Sequence, residues 1–274
     1  MTATDTTTRI DDYESGPVKR SAPARFANDT LTMTRRNLLY LYRQPQILVF
    51  TLITPIMFVS LFNFVFGGSL IVPGYDTYAD FLIPGIMVQT VMFGGSNTAI
   101  GLAEDMTRGV IDRFRSLPMS RLAVLTGRTL ADGARGLLTN SVIIAVGLVI
   151  GFRPSNGFWW FLAGFGLVLL FGYATTWFFA WMGLKLKTVE AVQTASFLPV
   201  FPLTFAASTF APVENMPGWL QVFASNQPVT IIVDTVRAMM YGGEIAWPLT
   251  KSLLWCVGIT VVFAFLSVRE YRKG

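Results

Sequence analysis

Apolar and polar positions alternate in blocks along this chain. From position 46 onward, apolar runs approaching the roughly 20 residues that a bilayer-crossing helix needs are separated by short polar stretches. Six runs qualify: 46–66, 80–103, 122–150, 158–184, 191–210 and 247–268. Pro55 predicts a kink in the first, and Pro199 with Pro202 predict a bent or broken fifth. The second is unusually polar, carrying Gln89, Ser96, Asn97 and Thr98 behind Pro84 and Gly85. Such groups face protein or a water-filled path rather than lipid. The third begins with Arg128, Asp132 and Arg135, and the last two are spaced to pair on one helix face, in cytoplasm or a wet interior. Trp159 and Trp160 open the fourth as an aromatic interface belt, and Lys185 and Lys187 close it.

The stretches between and before these runs have their own patterns. Residues 28–44 mix leucines and tyrosines with Arg35, Arg36 and Arg43, which predicts a helix lying in the membrane interface. The polar 1–27 reads as a disordered tail, with no apolar core that would make a secretory signal. Residues 104–121 form the longest charged interruption, with four arginines and three carboxylates. There Met106, Val110, Phe114 and Leu117 make one apolar stripe, Arg108, Asp112 and Arg115 lie off it, and Pro118 is a stop. The expectation is a short amphipathic helix over 104–118, with Glu104 and Asp105 favoured at its N-terminal end by the helix dipole. Residues 211–246 hold three prolines and four charges yet keep helical apolar spacing, which predicts one or two short helices dipping back toward the membrane. Residues 269–274 are a basic tail.

Composition agrees with the pattern. Of 274 residues, 53% are hydrophobic and 14% charged, against roughly 25% charged in soluble domains; the mean hydropathy is +0.53. The fold class is an all-α polytopic membrane protein. The net charge of +5 comes from basic residues gathered on one side rather than from a nucleic-acid surface. Seventeen Lys and Arg fall in the N-terminal region, the central stretch, the Lys185–Lys187 turn and the tail, whereas the opposite loops hold only Arg153 and Arg237. Six spans and this bias put both termini in the cytoplasm.

The single cysteine, Cys256, excludes an intramolecular disulfide, and the absence of histidine removes His-based metal sites, Ser-His-Asp hydrolysis and histidine proton relays. No GxxxxGK[ST] phosphate cradle occurs, so ATP is not bound in that way. The chain is not expected to catalyse a reaction. A membrane enzyme would want a Ser-Lys, Asp-Asp or His-bearing set within the spans. An ion-coupled transporter would want several mid-membrane acids, where only Asp132, near a cytoplasmic end, stands out.

The order of features resembles the type-2 ATP-binding-cassette (ABC-2) permeases, over about residues 28–270. After the second run, the acidic pair, Arg108-Gly109 and the segment RFRSLPMSR ending at Arg121 are similar to that family's cytoplasmic coupling segment. Before the last run, NQPVTIIVDTVRAMMYGG resembles its Asn-x-Pro…Arg…Gly stretch, here Asn226, Pro228, Arg237 and Gly242. The daunorubicin-resistance-type permeases of actinobacteria are the branch it resembles most. The resemblance implies a separate ATPase subunit in two copies carrying ATP and Mg, a second permease chain in a homo- or heterodimer, and export of drugs or lipids across the bacterial cytoplasmic membrane. Polysaccharide export within the same superfamily is the rival. It implies coupling through Glu104, Asp105, Met106, Arg108, Gly109, Val110, Arg113, Phe114, Arg115, Pro118 and Arg121. Met106, Val110 and Phe114 either seat in an ATPase cleft or pack on this chain's own helices, and the arginines are candidate charge pairs. It also implies a substrate path along the second and fifth spans, here Gln89, Asn97, Phe197, Phe201 and Phe205.

Overall fold

A computed structural model describes residues 22–43, 45–69, 72–110 and 121–273. Among these there are nine α-helices and no strand. They are α1 (Ala22–Tyr42), α2 (Pro45–Phe66), α3 (Tyr78–Thr107), α4 (Arg121–Ile150), α5 (Phe158–Leu186), α6 (Val189–Phe205), α7 (Gly218–Asn226), α8 (Pro228–Tyr241) and α9 (Ala246–Lys273). A 3-10 turn at Val213–Asn215 precedes α7.

Helix α3 is the axis of the bundle, in contact with α2, α4, α5, α6 and α8. Every residue from Tyr78 to Gln89 is buried. A helix apolar all round must be covered on all sides, and small residues let the neighbours approach. A Cβ on Gly183 of α5 would meet the Ala99 carbonyl oxygen of α3 at 2.5 Å, and one on Gly172 would meet Val91 at 2.9 Å. This close seam replaces the hydrophobic drive that lipid cannot supply.

Among the described residues, four helices are long and apolar enough to cross a membrane, over Val49–Phe66, Ala123–Ile150, Phe158–Leu186 and Ala246–Tyr271. The other two expected spans correspond to α3, whose hydropathy is diluted by Gln89, Asn97, Thr98 and its glycines, and to α6, only 17 residues long. The chain is a multi-pass membrane protein. Pro199 and Pro202 lie inside α6, which ends at Phe205 rather than 210.

Three boundaries move for physical reasons. Residues 22–27, expected in the disordered tail, begin α1, because Ala22-Pro23-Ala24 joins strong helix formers to a proline that the first turn accepts. Residues 269–273, expected as a tail, complete α9, where Tyr271 is buried with Leu102, Leu125, Trp177 and Leu184. The largest shift concerns Glu104 and Asp105. They occupy the C-terminal end of α3, not the start of a separate helix, so the dipole opposes rather than favours them. Arginines compensate, as described below. Of the expected 104–118 helix, residues 111–118 lie outside the described residues. Helix α1, expected in the interface, packs along α4, with Thr30 and Met33 buried and Met33 seated on Gly127.

Candidate functional site

Two polar assemblies mark the two ends of α3. The first gathers four chain segments around its N-terminus. Thr77 and Asp80 form a reciprocal capping box: the Asp80 backbone N–H donates to Thr77 Oγ1 at 3.3 Å, and the Thr77 N–H donates to Asp80 Oδ2 at 3.2 Å. The Thr77 hydroxyl donates to Asp80 Oδ2 at 2.7 Å. Asp80 Oδ1 accepts from the Arg153 backbone N–H at 2.8 Å and the Tyr241 hydroxyl at 2.7 Å. Four donors from three places therefore satisfy a carboxylate that is 2% exposed.

One turn away, Arg237 is buried with its guanidinium over the Phe81 ring at 3.5 Å. Its Nε and Nη2 donate to the Phe81 carbonyl at 3.0 and 2.7 Å, and Nη2 also reaches the carbonyls of Ser208 at 2.8 Å and Thr209 at 3.3 Å. Nη1 donates to Ser208 Oγ at 3.1 Å and Asp234 Oδ1 at 3.2 Å, and Ser208 Oγ donates to Asp234 Oδ1 at 2.7 Å. The planar fork suits this task; a lysine could not span it. Nearby, burial raises the pKa of the Tyr75 phenol, with Arg237 pulling the other way.

The helical hairpin that carries Arg237 is the pair α7 and α8. Asn226 ends α7, exposed, with its amide donating to the Val222 carbonyl at 2.8 Å. Pro228 takes the first position of α8, where its missing N–H costs nothing. Gly242 ends α8 at φ 92°, a conformation that favours glycine. Between them Gln227, 5% exposed, donates to the carbonyls of Leu203 at 3.0 Å and Ala206 at 3.3 Å, so the hairpin caps the end of α6.

The second assembly lies at the other end of α3. Arg128 Nη1 of α4 donates to Asp105 Oδ2 at 2.6 Å, and Arg36 of α1 approaches the other Asp105 oxygen at 3.9 Å. Arg108 pairs with Glu104 one turn back at 3.7 Å, the arginine exposed and the carboxylate half-buried. Higher on the same seam, Arg135 and Asp132 pair at 2.9 Å, as their spacing predicts, and Thr98 donates to Asp132 at 2.6 Å. Arg135 also donates to the Gly94 carbonyl at 3.1 Å. Thr51, Gly94, Asp132, Arg135, Thr139 and Tyr173 are among the residues lining a cavity of about 40 Å³ here.

Of the coupling residues expected from sequence, Met106 packs against the cluster of Leu102, Leu125 and Trp177, which is the own-helix alternative for that residue. Gly109 turns the chain at φ 66°, and Val110 is half-buried. Arg121 opens α4. Arg113, Phe114, Arg115 and Pro118 lie outside the described residues. Among the path residues, Phe197, Phe201 and Phe205 share an exposed face of α6, whereas Gln89 is 4% exposed inside the bundle and its Nε2 has no partner among the described residues. Asn97 is exposed, just over two turns from Gln89. Sequence reasoning overlooked Asp80, Ser208, Gln227 and Tyr241. Only Asp80 carried a signal, the Thr-x-x-Asp spacing of a helix cap.

Among the described residues, the all-helical bundle with membrane-length helices is the architecture of a multi-pass membrane protein. The chain belongs to the ABC-2 type transporter family, whose model matches residues 28–241. It is 31% identical over 255 residues to the daunorubicin resistance ABC transporter permease protein DrrB1 of Streptomyces coeruleorubidus, covering 93% of this chain and 90% of the relative. A probable doxorubicin resistance ABC transporter permease protein, DrrC of Mycobacterium tuberculosis, is 27% identical over 94% of this chain and 93% of its own length. A putative transport permease, ycf38 of Cyanophora paradoxa, is 25% identical over 83% of this chain and 79% of its own length. The protein is the membrane permease subunit of an ABC transporter.

Proposed function

We propose that this chain forms the pathway by which hydrophobic or amphipathic drugs or lipids leave the cell, driven by a separate ATPase. Two ATPase copies bind ATP and Mg, a second permease chain completes the pathway, and this chain binds no nucleotide itself. The complex sits in the bacterial cytoplasmic membrane with both termini in the cytoplasm. The similarity to permeases named for daunorubicin and doxorubicin resistance supports the drug class, and the one-sided distribution of Lys and Arg supports the orientation.

The observation that carries the mechanism is the position of the Glu104–Val110 turn. Its residues 104–107 are the last turn of α3, the helix that touches most of the bundle, and α4 begins at Arg121. A force on residues 104–121 is thereby delivered to the two helices that frame it. The exposed Phe197, Phe201 and Phe205 offer an apolar surface for the transported molecule. Stacking continues from Phe201 and Phe205 through Phe210 to Phe62, with ring centroids 4.3–5.4 Å apart.

The test is ATP turnover by the co-purified ATPase, with the native chain and with Arg113→Glu plus Phe114→Asp. Loss of assembly or turnover in a variant that still inserts supports the coupling role. Failure of any ATPase to co-purify, or native behaviour of the variant, sinks it.

A further inference from the structure

The seam between α3 and α4 carries three polar rungs in antiparallel register. Gly94, Thr98 and Asp105 descend α3 while Arg135, Asp132 and Arg128 descend α4, each joined to its counterpart by a hydrogen bond of 2.6–3.1 Å. Asp132 and Arg135 side chains are 14% and 12% exposed, so their charges depend on one another, on these bonds and on the adjoining cavity. At about 40 Å³ that cavity has room for water but not for a ligand.

Holding two helices together does not require such rungs, because apolar packing of the same volume serves as well or better. What the rungs add is register. Sliding an apolar seam by one turn exchanges one set of side chains for another. Sliding this seam strands a buried carboxylate and a buried guanidinium away from Thr98 and Gly94.

We propose that Thr98, Asp132 and Arg135, together with the Asp105–Arg128 pair, lock α3 and α4 into one lever, so that a push at the Glu104–Val110 end of α3 moves both helices as a single body. They are positioning residues, and the proposal rests on the coupling role given to that turn. The same locking explains why Asp105 tolerates the unfavourable end of α3: its rung belongs to the seam, not to the helix.

The test uses the full chain with its ATPase in phosphatidylglycerol–phosphatidylethanolamine vesicles, with doxorubicin fluorescence as the probe. The variant Asp132→Leu plus Arg135→Met keeps the volume and removes the register. The expected result is an unchanged or raised Tm, retained ATP turnover, and about tenfold less probe moved per ATP. In a Cys256→Ala background, Thr98→Cys with Asp132→Cys should be similarly uncoupled, and a short bifunctional methanethiosulfonate bridge should restore coupling. Native probe movement per ATP in the Leu/Met variant overturns the proposal, as does a bridge that abolishes transport. If the native complex moves no probe, the exporter reading fails instead. The lever is then judged on the chain alone, by the distance between spin labels placed at the exposed Asn97 and Leu137. A narrow native distribution that broadens in the Leu/Met variant supports it, and identical distributions overturn it.

Discussion

The two ends of α3 hold buried charge in opposite ways. At the hairpin end, one guanidinium gives most of its donors to backbone carbonyls of Phe81, Ser208 and Thr209, and its single carboxylate partner, Asp234, is 52% exposed. At the other end, side-chain carboxylates and guanidinium groups answer one another along the α3–α4 seam. A backbone carbonyl cannot swing away without unravelling its segment, whereas a pair of side chains can be exchanged for another pair without touching either backbone. The Arg237 knot is therefore an anchor that fixes where the hairpin, α3 and the end of α6 meet. The charged seam instead joins two helices side chain to side chain and holds α3 and α4 in register down to the end that carries Glu104 and Asp105.

The sharpest way to break this comparison is Arg237→Ala. It removes six hydrogen bonds and leaves Asp234, Ser208 and three carbonyl groups to find other partners. A loss of about 3–5 kcal/mol is expected, read as failure to accumulate in the membrane or a collapsed Tm in detergent; an intact, stable variant would deny the anchor. Next comes Gly183→Val, because the obstructing Ala99 carbonyl is backbone and cannot move aside. About 1–3 kcal/mol of destabilisation is expected, measured as a lower Tm, with Gly94→Ala as the control because a Cβ there meets nothing. The smallest effect belongs to Arg108→Ala, whose guanidinium is 66% exposed against Glu104. Its effect on stability should stay under about 0.5 kcal/mol, while ATP-driven transport should fall and depend less on salt. A Tm drop matching that of Arg237→Ala would erase the distinction between the two ends.

Much of this arrangement was legible beforehand where the cause was local. The Asp132–Arg135 pair follows from three-residue spacing on one helix, and Pro228 and Gly242 mark the start and stop of α8 by their own backbone chemistry. One or two short helices over 211–246 were expected from helical periodicity between the prolines, and α7 and α8 are there. The placement of Glu104 and Asp105 went the other way. Acids after an apolar run read naturally as the start of a new helix, and nothing nearby contradicts it. The partner that lets α3 continue to Thr107 is Arg128, 23 positions further along. The tertiary partners of Asp80 were hidden for the same reason, since Arg153 and Tyr241 lie 73 and 161 positions away.

By itself, then, the sequence determined that this is a multi-pass helical membrane protein, with motifs that resemble those of the ABC-2 permeases. Hydropathy, caps and charge bias act over a turn or a span and need no partner to be read. Only the tertiary structure decided which buried charges are satisfied, which helix owns the acidic pair, and that Gln89 lies inside the bundle while Phe197, Phe201 and Phe205 face out of it. Burial makes an unpaired polar group costly wherever its partner sits in the chain, so those positions are set by packing across distant segments rather than by their neighbours in sequence.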